Sequence, residues 1–255
     1  MQILGKQMAD KLRKKKKRKK KNYLLRLLVI IAVGVGLYFL INSELFHIDS
    51  VEIENNNYYT VEQVKEKAGI KIGENIFRLK KNSIKDKLLK DPYFENVLIK
   101  RKLPSTVILD VTERTEKAAV FNKNAYIIID ANGLVLRTAD KAPKITVIEG
   151  LTVKRAKAGK PLEIEENSIL TDTLNMLKSM EDSDLFFKKI EISNVIIKAH
   201  IYDQLICEGT PKNLGESIKN GNLETALYEM YSKGIERGII KIGTDNYCSF
   251  DPNVE

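Results

Sequence analysis

Residues 99–114 read Ile99-Lys-Arg-Lys-Leu-Pro-Ser-Thr-Val-Ile-Leu-Asp-Val-Thr-Glu-Arg114, and they predict two consecutive β-strands. Apolar and polar residues alternate on both sides of Pro104, which is the period that side chains follow along a strand. Proline has no backbone N–H to donate to a sheet, so Pro104 separates a first strand over 94–103 from a second over 106–113. This pair of strands is expected to complete a small domain that begins upstream.

A further strand and two short helices are predicted before this pair. Residues 47–53 alternate as a strand does, and Thr60-Val-Glu-Gln63 has the spacing of a capping box that begins a helix. A second helix is predicted from Asn82 or Ser83 to the Asp91-Pro92 pair, because the residue before a proline disfavours helix. Both helices are too short to be stable alone, so we expect them to pack on one face of the sheet, in the order β-α-α-β-β.

The region after residue 116 is predicted to be mostly β-structure. Asp130-Ala-Asn-Gly133 has the length and residue types of a hairpin turn. Residues 152–166 are charged and irregular, which favours a loop, whereas 168–180 and 222–233 have the apolar spacing of amphipathic helices. The remaining strands are expected over 126–129, 134–137, 145–148, 189–192, 195–202, 204–208, 238–242 and 247–250.

The basic character of the chain lies in one short N-terminal arm. Residues 1–26 hold 12 Lys and Arg against the single acid Asp10, so the formal charge of +9 for the whole chain leaves −2 for residues 27–255. A run of like charges cannot bury itself, and we expect residues 1–22 to be disordered. The faintly acidic remainder argues against a general nucleic-acid-binding domain.

The apolar segment Tyr23–Ile41 predicts one transmembrane helix. Its 19 residues carry one charge, Arg26, and as a helix they span roughly 28 Å, close to the thickness of the hydrocarbon core of a bilayer. The basic arm predicts a cytoplasmic N-terminus, with the bulk of the chain extracytoplasmic. A cleaved signal peptide is the main alternative, but the segment is long for one and Asn42-Ser43-Glu44 lacks a small-x-small cleavage site.

Reactive groups are sparse in this sequence. A tethered Cys/His enzyme of the sortase kind would need Cys207 or Cys248 as nucleophile, His200 as base and Arg237 as oxyanion donor, but neither cysteine lies in a local catalytic motif. No Cys/His cluster has metal-ligand spacing, and no Gly-rich phosphate loop occurs in the outer region. We therefore expect no catalytic residue, metal or cofactor. Whether Cys207 and Cys248 pair is left open, as is the oligomeric state.

The chain resembles the bacterial FtsQ/DivIB family of cell-division proteins. The resemblance rests on the basic arm with its single anchor, Phe46-x-Ile-x-x-Val-x-Ile53, Gly73-Glu-Asn-Ile-Phe77, Asp91-Pro-Tyr-Phe-Glu-Asn-Val97 and the stretch quoted first. In this family the paired strands with Leu-Pro between them end a POTRA (polypeptide-transport-associated) domain. The strand and helix order derived above agrees with that domain.

The resemblance implies a non-catalytic scaffold of the divisome at the division septum. Such proteins bind the single-span partners FtsB (DivIC in Gram-positive bacteria) and FtsL, and through them help to control septal peptidoglycan synthesis. Two alternatives are a membrane-tethered envelope enzyme acting on peptidoglycan and a POTRA-containing transport accessory protein.

The resemblance also implies where partners bind. An exposed edge strand of the last domain would offer its unpaired backbone groups to a partner segment, which is β-augmentation. Alternation along 238–242 sends Ile239 and Lys241 to the face opposite Ile240 and Ile242, so the first two are expected to be exposed. The residues expected to contact a partner are Tyr231, Ile239, Lys241, Ile242, Tyr247, Cys248 and Phe250.

The fold class expected is α+β, with a single N-terminal transmembrane helix, a POTRA-like β-α-α-β-β domain and a mixed α/β domain with a largely antiparallel sheet. The domains expected are a basic cytoplasmic arm (1–22), a signal anchor (23–41), the POTRA-like domain (45–115), a β domain with the partner-binding edge (116–251) and a short tail (252–255).

Overall fold

The computed structural model of the chain describes residues 23–165, 167–181, 183–244 and 247–252. The predicted basic arm lies outside these residues, as do positions 253–255 of the predicted tail. Helix α1 (Tyr23–Ile41) is long and apolar enough to cross a membrane, and none of its 18-residue apolar window is buried inside the protein. The predicted apolar helix is therefore confirmed as a helix.

The other helices and strands follow in chain order. The helices are α2 (Val61–Ala68), α3 (Lys81–Leu88), α4 (Asn167–Ser179), α5 (Pro211–Lys219) and α6 (Asn222–Ser232). The strands are β1 (Ser50–Glu54), β2 (Phe94–Lys102), β3 (Thr106–Glu113), β4 (Ala118–Asn122), β5 (Ala125–Ile129), β6 (Val135–Ala139), β7 (Thr146–Glu149), β8 (Val153–Arg155), β9 (Glu163–Ile164), β10 (Lys189–Ser193), β11 (Ile196–His200), β12 (Leu205–Gly209), β13 (Gly238–Ile242) and β14 (Cys248–Asp251).

The first three strands form a sheet of their own, in the spatial order β1-β3-β2. β1 pairs in parallel with β3, from Ser50 opposite Thr106 to Glu54 opposite Asp110. Helices α2 and α3 come between β1 and β2 in the chain, and α2 packs beside β1. The predicted order β-α-α-β-β is confirmed.

The chain divides into two compact units. The first comprises the described residues up to Glu54 together with 61–85 and 98–110. The second comprises 55–60, 86–97 and the described residues from Val111 onward. The domain boundaries expected at residues 45, 115 and 116 stay predictions.

Nine strands of the second unit form one twisted sheet, in the order β14-β13-β12-β11-β10-β7-β4-β5-β6. The pairs β4–β7, β7–β10 and β12–β13 are parallel, and the other five neighbouring pairs are antiparallel. Parallel neighbours need a crossover connection, and α5 and α6 supply it between β12 and β13. The largely antiparallel sheet confirms the fold class.

The hydrophobic core of this unit includes α4, α5 and α6 as well as the sheet. Leu174 and Met176 of α4, Leu214 of α5 and Leu223 of α6 belong to one buried cluster with inward-facing residues of the strands. Burying apolar side chains between helices and one sheet face is the main favourable contribution to the folding of such a domain. The β14 end of the sheet therefore rests on a packed layer.

Two features of this unit differ from the sequence-based expectation. Residues 152–166 are not entirely loop, because β8 and β9 pair there as a short antiparallel ladder. Helix α5 was not predicted, although Thr210 accepts a hydrogen bond from Asn213 N at 3.2 Å and Pro211 occupies its first turn. These are the signals of a helix N-terminus.

Candidate partner-binding edge

The nine-stranded sheet has two edges, and they differ in how they are covered. At the β6 edge, Val135 N donates to Lys160 O at 2.9 Å and Gly159 N donates to Val135 O at 2.8 Å. A loop thus covers part of that edge. At the other edge, β14 has β13 on one side and, within the part of the chain that the structure describes, no strand on the other. An uncovered edge is a template for pairing with another chain.

The hydrogen bonds of β13 reveal which way its backbone groups point. Gly238 N donates to Gln204 O at 2.9 Å, on the β12 side. Gly243 N donates to Tyr247 O at 2.8 Å, on the β14 side. Since the direction alternates from residue to residue along a strand, the backbone groups of Ile239 and Lys241 also face β14.

The same alternation identifies the outward groups of β14. Lys241 is opposite Ser249, and this pair therefore exchanges backbone hydrogen bonds. Cys248 and Phe250 pair in register with Ile242 and Ile240 but do not exchange such bonds. Their N–H and C=O groups point away from β13, toward the open side of the sheet.

The side chains of the expected contact residues fall into three groups. Ile242 is only 4% exposed and packs in the core, so it offers no side-chain surface to a partner. Ile239, which was expected to be exposed, is half-buried, as is Cys248. Tyr231, Lys241, Tyr247 and Phe250 are exposed, with Tyr231 at 78%. Lys241 Nζ lies 3.2 Å from Asp251 Oδ2, and the two form a cross-strand ion pair on the face of the sheet opposite the helices.

The strand β14 is held close to β13 by a glycine. Gly238 has φ 138°, a conformation that only glycine adopts easily. A Cβ at this position would lie 2.9 Å from Asp251 O and closer still to the ring of Phe250. The Phe250 ring therefore lies directly over Gly238, and no other residue leaves it that space.

A groove lies beside the point where β13 begins, and we call it the aromatic groove. Its volume is about 830 Å³, and it runs beside α6 and the loop between β11 and β12. Gln204, whose carbonyl binds Gly238, is one of its lining residues. The rings that line it and are exposed to solvent are those of Phe186, Tyr202, Tyr228 and Tyr231.

The aromatic groove has a negative lining. Asp184, Asp203, Glu224 and Glu236 line it, and none of its described lining residues is Lys or Arg. Asp203 is paired with Lys188 at 2.7 Å, and this cation lowers the pKa of the Asp203 carboxyl. Tyr231 was expected from the sequence, but the groove was not. The spacing of Tyr228 and Tyr231 on one helix was the available signal for it.

The face of the sheet opposite the helices carries charged cross-strand pairs. Glu191, Lys198 and Glu208 are consecutive register neighbours across β10, β11 and β12. The shortest contact on this face joins Lys189 Nζ to Glu191 Oε1, and this hydrogen bond lowers the pKa of Glu191. His200 lies on the same face, and burial lowers its pKa despite the nearby Glu191 carboxylate. His200 is therefore mainly neutral at neutral pH.

The groups of a Cys/His enzyme are not brought together. Cys207 is opposite Ala199, whereas His200 is opposite Ile206. Directly opposed residues share a face of the sheet, so Cys207 and His200 point to different faces. Cys248, opposite Ile242, shares the Cys207 face. Burial raises the pKa of the Cys207 thiol to about 12, which keeps it protonated and unreactive.

Comparisons with known proteins identify relatives of this chain. The POTRA domain, FtsQ-type, matches residues 46–114. Cell division protein DivIB of Clostridium acetobutylicum is 31% identical over 174 residues, which cover 66% of this chain and 69% of that protein. DivIB of Clostridium botulinum strain Hall is 32% identical over 187 residues, covering 71% and 72%. Cell division protein FtsQ of Geotalea daltonii is 27% identical over 168 residues, covering 64% and 58%.

A solved structure also aligns with the chain. It is the major extracytoplasmic domain of the cell division protein DivIB from Geobacillus stearothermophilus, with a TM-score of 0.33 and 14% sequence identity. The alignment covers 46% of this chain and 96% of that one.

The first unit's fold and the match over residues 46–114 define a protein with a POTRA domain and one N-terminal helix of membrane-spanning length. At 31% and 32% identity over more than two thirds of two DivIB proteins, the chain belongs to the DivIB/FtsQ family of cell division proteins.

Proposed function

We propose that this protein is a non-catalytic, single-pass membrane scaffold of the bacterial divisome. Its N-terminus is cytoplasmic, its bulk is extracytoplasmic, and it acts at the division septum. It binds FtsB/DivIC-type and FtsL-type single-span proteins and thereby helps to control septal peptidoglycan synthesis. The observation that carries the proposal is the open edge of β14 on a chain of the DivIB/FtsQ family.

The mechanism of binding is strand addition. A partner segment pairs with the outward N–H and C=O groups of Cys248 and Phe250 and extends the sheet by one strand. Backbone hydrogen bonds give this contact its register, and side chains beside the edge give it specificity. Tyr247 and Phe250 are the exposed side chains at β14, next to the added strand.

The aromatic groove extends this contact surface. Its lining includes Gln204, whose carbonyl accepts a hydrogen bond from Gly238 N, and it carries carboxylates without a described lysine or arginine. A partner segment that leaves the edge and enters the groove therefore carries Lys or Arg together with apolar residues. Tyrosines in such a place provide large contact area with little loss of side-chain entropy.

The direction of the backbone groups decides which proline substitution tests strand addition. Lys241 lies on β13, the second strand from the edge, and its backbone groups pair with those of Ser249 on β14. Lys241→Pro would therefore detach β14 from β13 as well as affect a partner. Phe250→Pro removes an N–H that points outward, so it acts on the partner directly.

The test compares Phe250→Pro with Phe250→Ala. Both variants lack the ring, but only the proline variant lacks the outward N–H. The affinity of the full chain for the FtsB/DivIC-type partner, measured by titration, is expected to be about tenfold lower for Phe250→Pro than for Phe250→Ala, as the loss of one backbone hydrogen bond predicts. Equal affinities for two folded variants would contradict strand addition at β14.

A further inference from the structure

Helix α1 is tied directly to a loop of the first unit. Asn75 Nδ2 donates to Ile41 O at 2.7 Å, and Arg78 Nη2 donates to Asn42 Oδ1 at 2.8 Å. Asn75 is buried, so the first of these hydrogen bonds is partly shielded from water. The loop over residues 71–80 is thus attached to the end of α1 and does not trail from it on a linker.

This attachment fixes the depth of the loop once α1 spans a bilayer. Ile41 is the last residue of the apolar helix, so its carbonyl lies at the outer boundary of the hydrocarbon core. The headgroup region extends about 5–7 Å beyond that boundary on each side. A side chain that binds the Ile41 carbonyl at 2.7 Å therefore lies among headgroups.

The exposed surface of the loop suits that depth. Two apolar side chains of the loop that a soluble domain would bury are open, with Ile72 61% and Phe77 40% exposed, and Leu45, four residues after α1, is 56% exposed. Phe77 packs on Phe46, with ring centroids 5.1 Å apart. Apolar side chains mixed with basic ones are typical of segments that lie in a membrane interface.

The charges of the loop favour anionic lipid. Residues 71–81 hold Lys71, Arg78, Lys80 and Lys81 against one acid, Glu74. A cavity of about 590 Å³ opens beside the loop, and Arg78 and Lys80 line it together with Glu74 and His47. The cavity is wide enough to receive a headgroup phosphate, and its two cations would bind one.

We infer that this face, formed by Leu45, Lys71, Ile72, Phe77, Arg78 and Lys80, docks on the outer leaflet and binds anionic phospholipid headgroups. The inference rests on the proposed insertion of α1 and adds a second membrane contact to it. Docking at two points orients the first unit relative to the bilayer, whereas a single helix with a flexible linker would leave it free to rotate.

The test uses the full chain in nanodiscs of phosphatidylcholine, with or without phosphatidylglycerol, and with a headgroup spin-labelled lipid as quencher. A fluorophore is attached at Ile72→Cys in a Cys248→Ser background, in which Cys207 is buried. The matched control is a label at Glu54→Cys. Ile48 is hydrogen-bonded to Gly73 and Glu74 of the loop. Glu54 is exposed and lies six residues beyond Ile48, which is about 20 Å along an extended chain.

The label at residue 72 is expected to be quenched several times more strongly than the label at residue 54, and more with phosphatidylglycerol than without. Lys71→Gln combined with Lys80→Gln should weaken docking about 30-fold through the loss of two charges near the surface. The inference would be overturned by equal quenching at the two positions, or by quenching at residue 72 that is the same with and without phosphatidylglycerol. Co-elution of the chain with the nanodisc tests insertion separately, so a failure of the proposed anchor is distinguishable.

Discussion

The Arg137 guanidinium binds the Glu116 carboxylate at two points, with Nε 2.7 Å from Oε1 and Nη2 3.1 Å from Oε2. Tyr93 donates its hydroxyl hydrogen to the same carboxylate, and the ring of Tyr58 stacks on Tyr93 at 3.8 Å. Burial opposes ionisation of Glu116, but the hydrogen bonds from Arg137 and Tyr93 outweigh it and leave its pKa below the usual value. The cluster connects β6 to the segment that follows β3.

Removing the charge of Glu116 should destabilise this cluster. Glu116→Gln keeps the shape of the side chain but breaks the two-point ion pair, which leaves a partly buried guanidinium poorly paired. We expect a loss of about 1–2 kcal/mol, or about 3–6 °C in the Tm of the full chain in detergent micelles. Glu163→Gln is the control, since Glu163 is exposed and 3.9 Å from Arg155, and it should leave Tm unchanged.

The contribution of Glu116 should also depend on pH in a defined direction. Because the folded pKa lies below the unfolded one, the unfolded state binds more protons as the pH falls. The stabilisation is therefore complete above about pH 5 and is lost as the pH falls through the lower folded pKa. The Tm difference between the wild-type chain and Glu116→Gln should shrink from pH 7 toward about pH 3. A constant difference would contradict this assignment.

Because Phe250 lies so close to Gly238, adding one methyl group at residue 238 is predicted to disrupt the β13–β14 contact strongly. Gly238→Ala places a Cβ against the ring and Asp251 O, so β14 must move away from β13. Hydrogen exchange should show loss of protection at Lys241 and Ser249, together with a more than tenfold loss of partner affinity. Gly243→Ala is the matched control, because its Cβ would meet nothing nearer than 3.7 Å. Similar exchange in both variants would argue against a tight β13–β14 contact.

The aromatic groove predicts substitutions that change binding without changing stability. Tyr228 and Tyr231 are exposed, so Tyr228→Ala and Tyr231→Ala should each alter the free energy of unfolding by less than about 0.5 kcal/mol. Each should lower the affinity for the FtsB/DivIC-type partner by about tenfold or more, as truncating an aromatic contact does. Val195→Ala, at another exposed apolar position, should change neither quantity. Unchanged affinity in both tyrosine variants would exclude the groove from the interface.

The two cysteines should remain unpaired under oxidising conditions. Cys207 and Cys248 lie on β12 and β14 with β13 between them, so their Cα atoms are at least about 9.5 Å apart, beyond the ~7 Å that a disulfide spans. In the native chain only Cys248, which is half-buried, should react readily with a thiol reagent, and both should react after unfolding. Mass spectrometry distinguishes these outcomes, and a bridged peptide would contradict the strand order.

The alternation of apolar and polar residues in strands and the apolar spacing in helices predicted much of the fold, because burying one face of an element requires these patterns within a short stretch of sequence. The paired strands around Pro104 and the hairpin at 130–133 were predicted correctly for that reason. Helix α5 was missed, because Gly215 and Ser217 lie on its buried side and weaken its apolar pattern. Gly215 approaches Met176 of α4, and such close packing between helices leaves little trace in one sequence.

The candidate site was predicted only in part. Period two along β13 correctly separated buried Ile240 and Ile242 from exposed Lys241. It could not show that β14, rather than β13, is the outer strand, since strand order depends on crossovers between distant residues. The aromatic groove combines side chains from three separate segments, around Phe186, Tyr202 and α6, and no local pattern joins them.

The position of β14 in the chain has a consequence for the timing of assembly. The edge forms only when β14 docks on β13, and β13 in turn pairs with β12 across the α5–α6 crossover. Under the proposed topology, the exported chain must emerge as far as Asp251 before the β14 edge exists for a partner to join. We therefore expect translocation intermediates that stop short of this residue to be excluded from assembly, so that recruitment would be limited to molecules whose outer domain has already been delivered and folded.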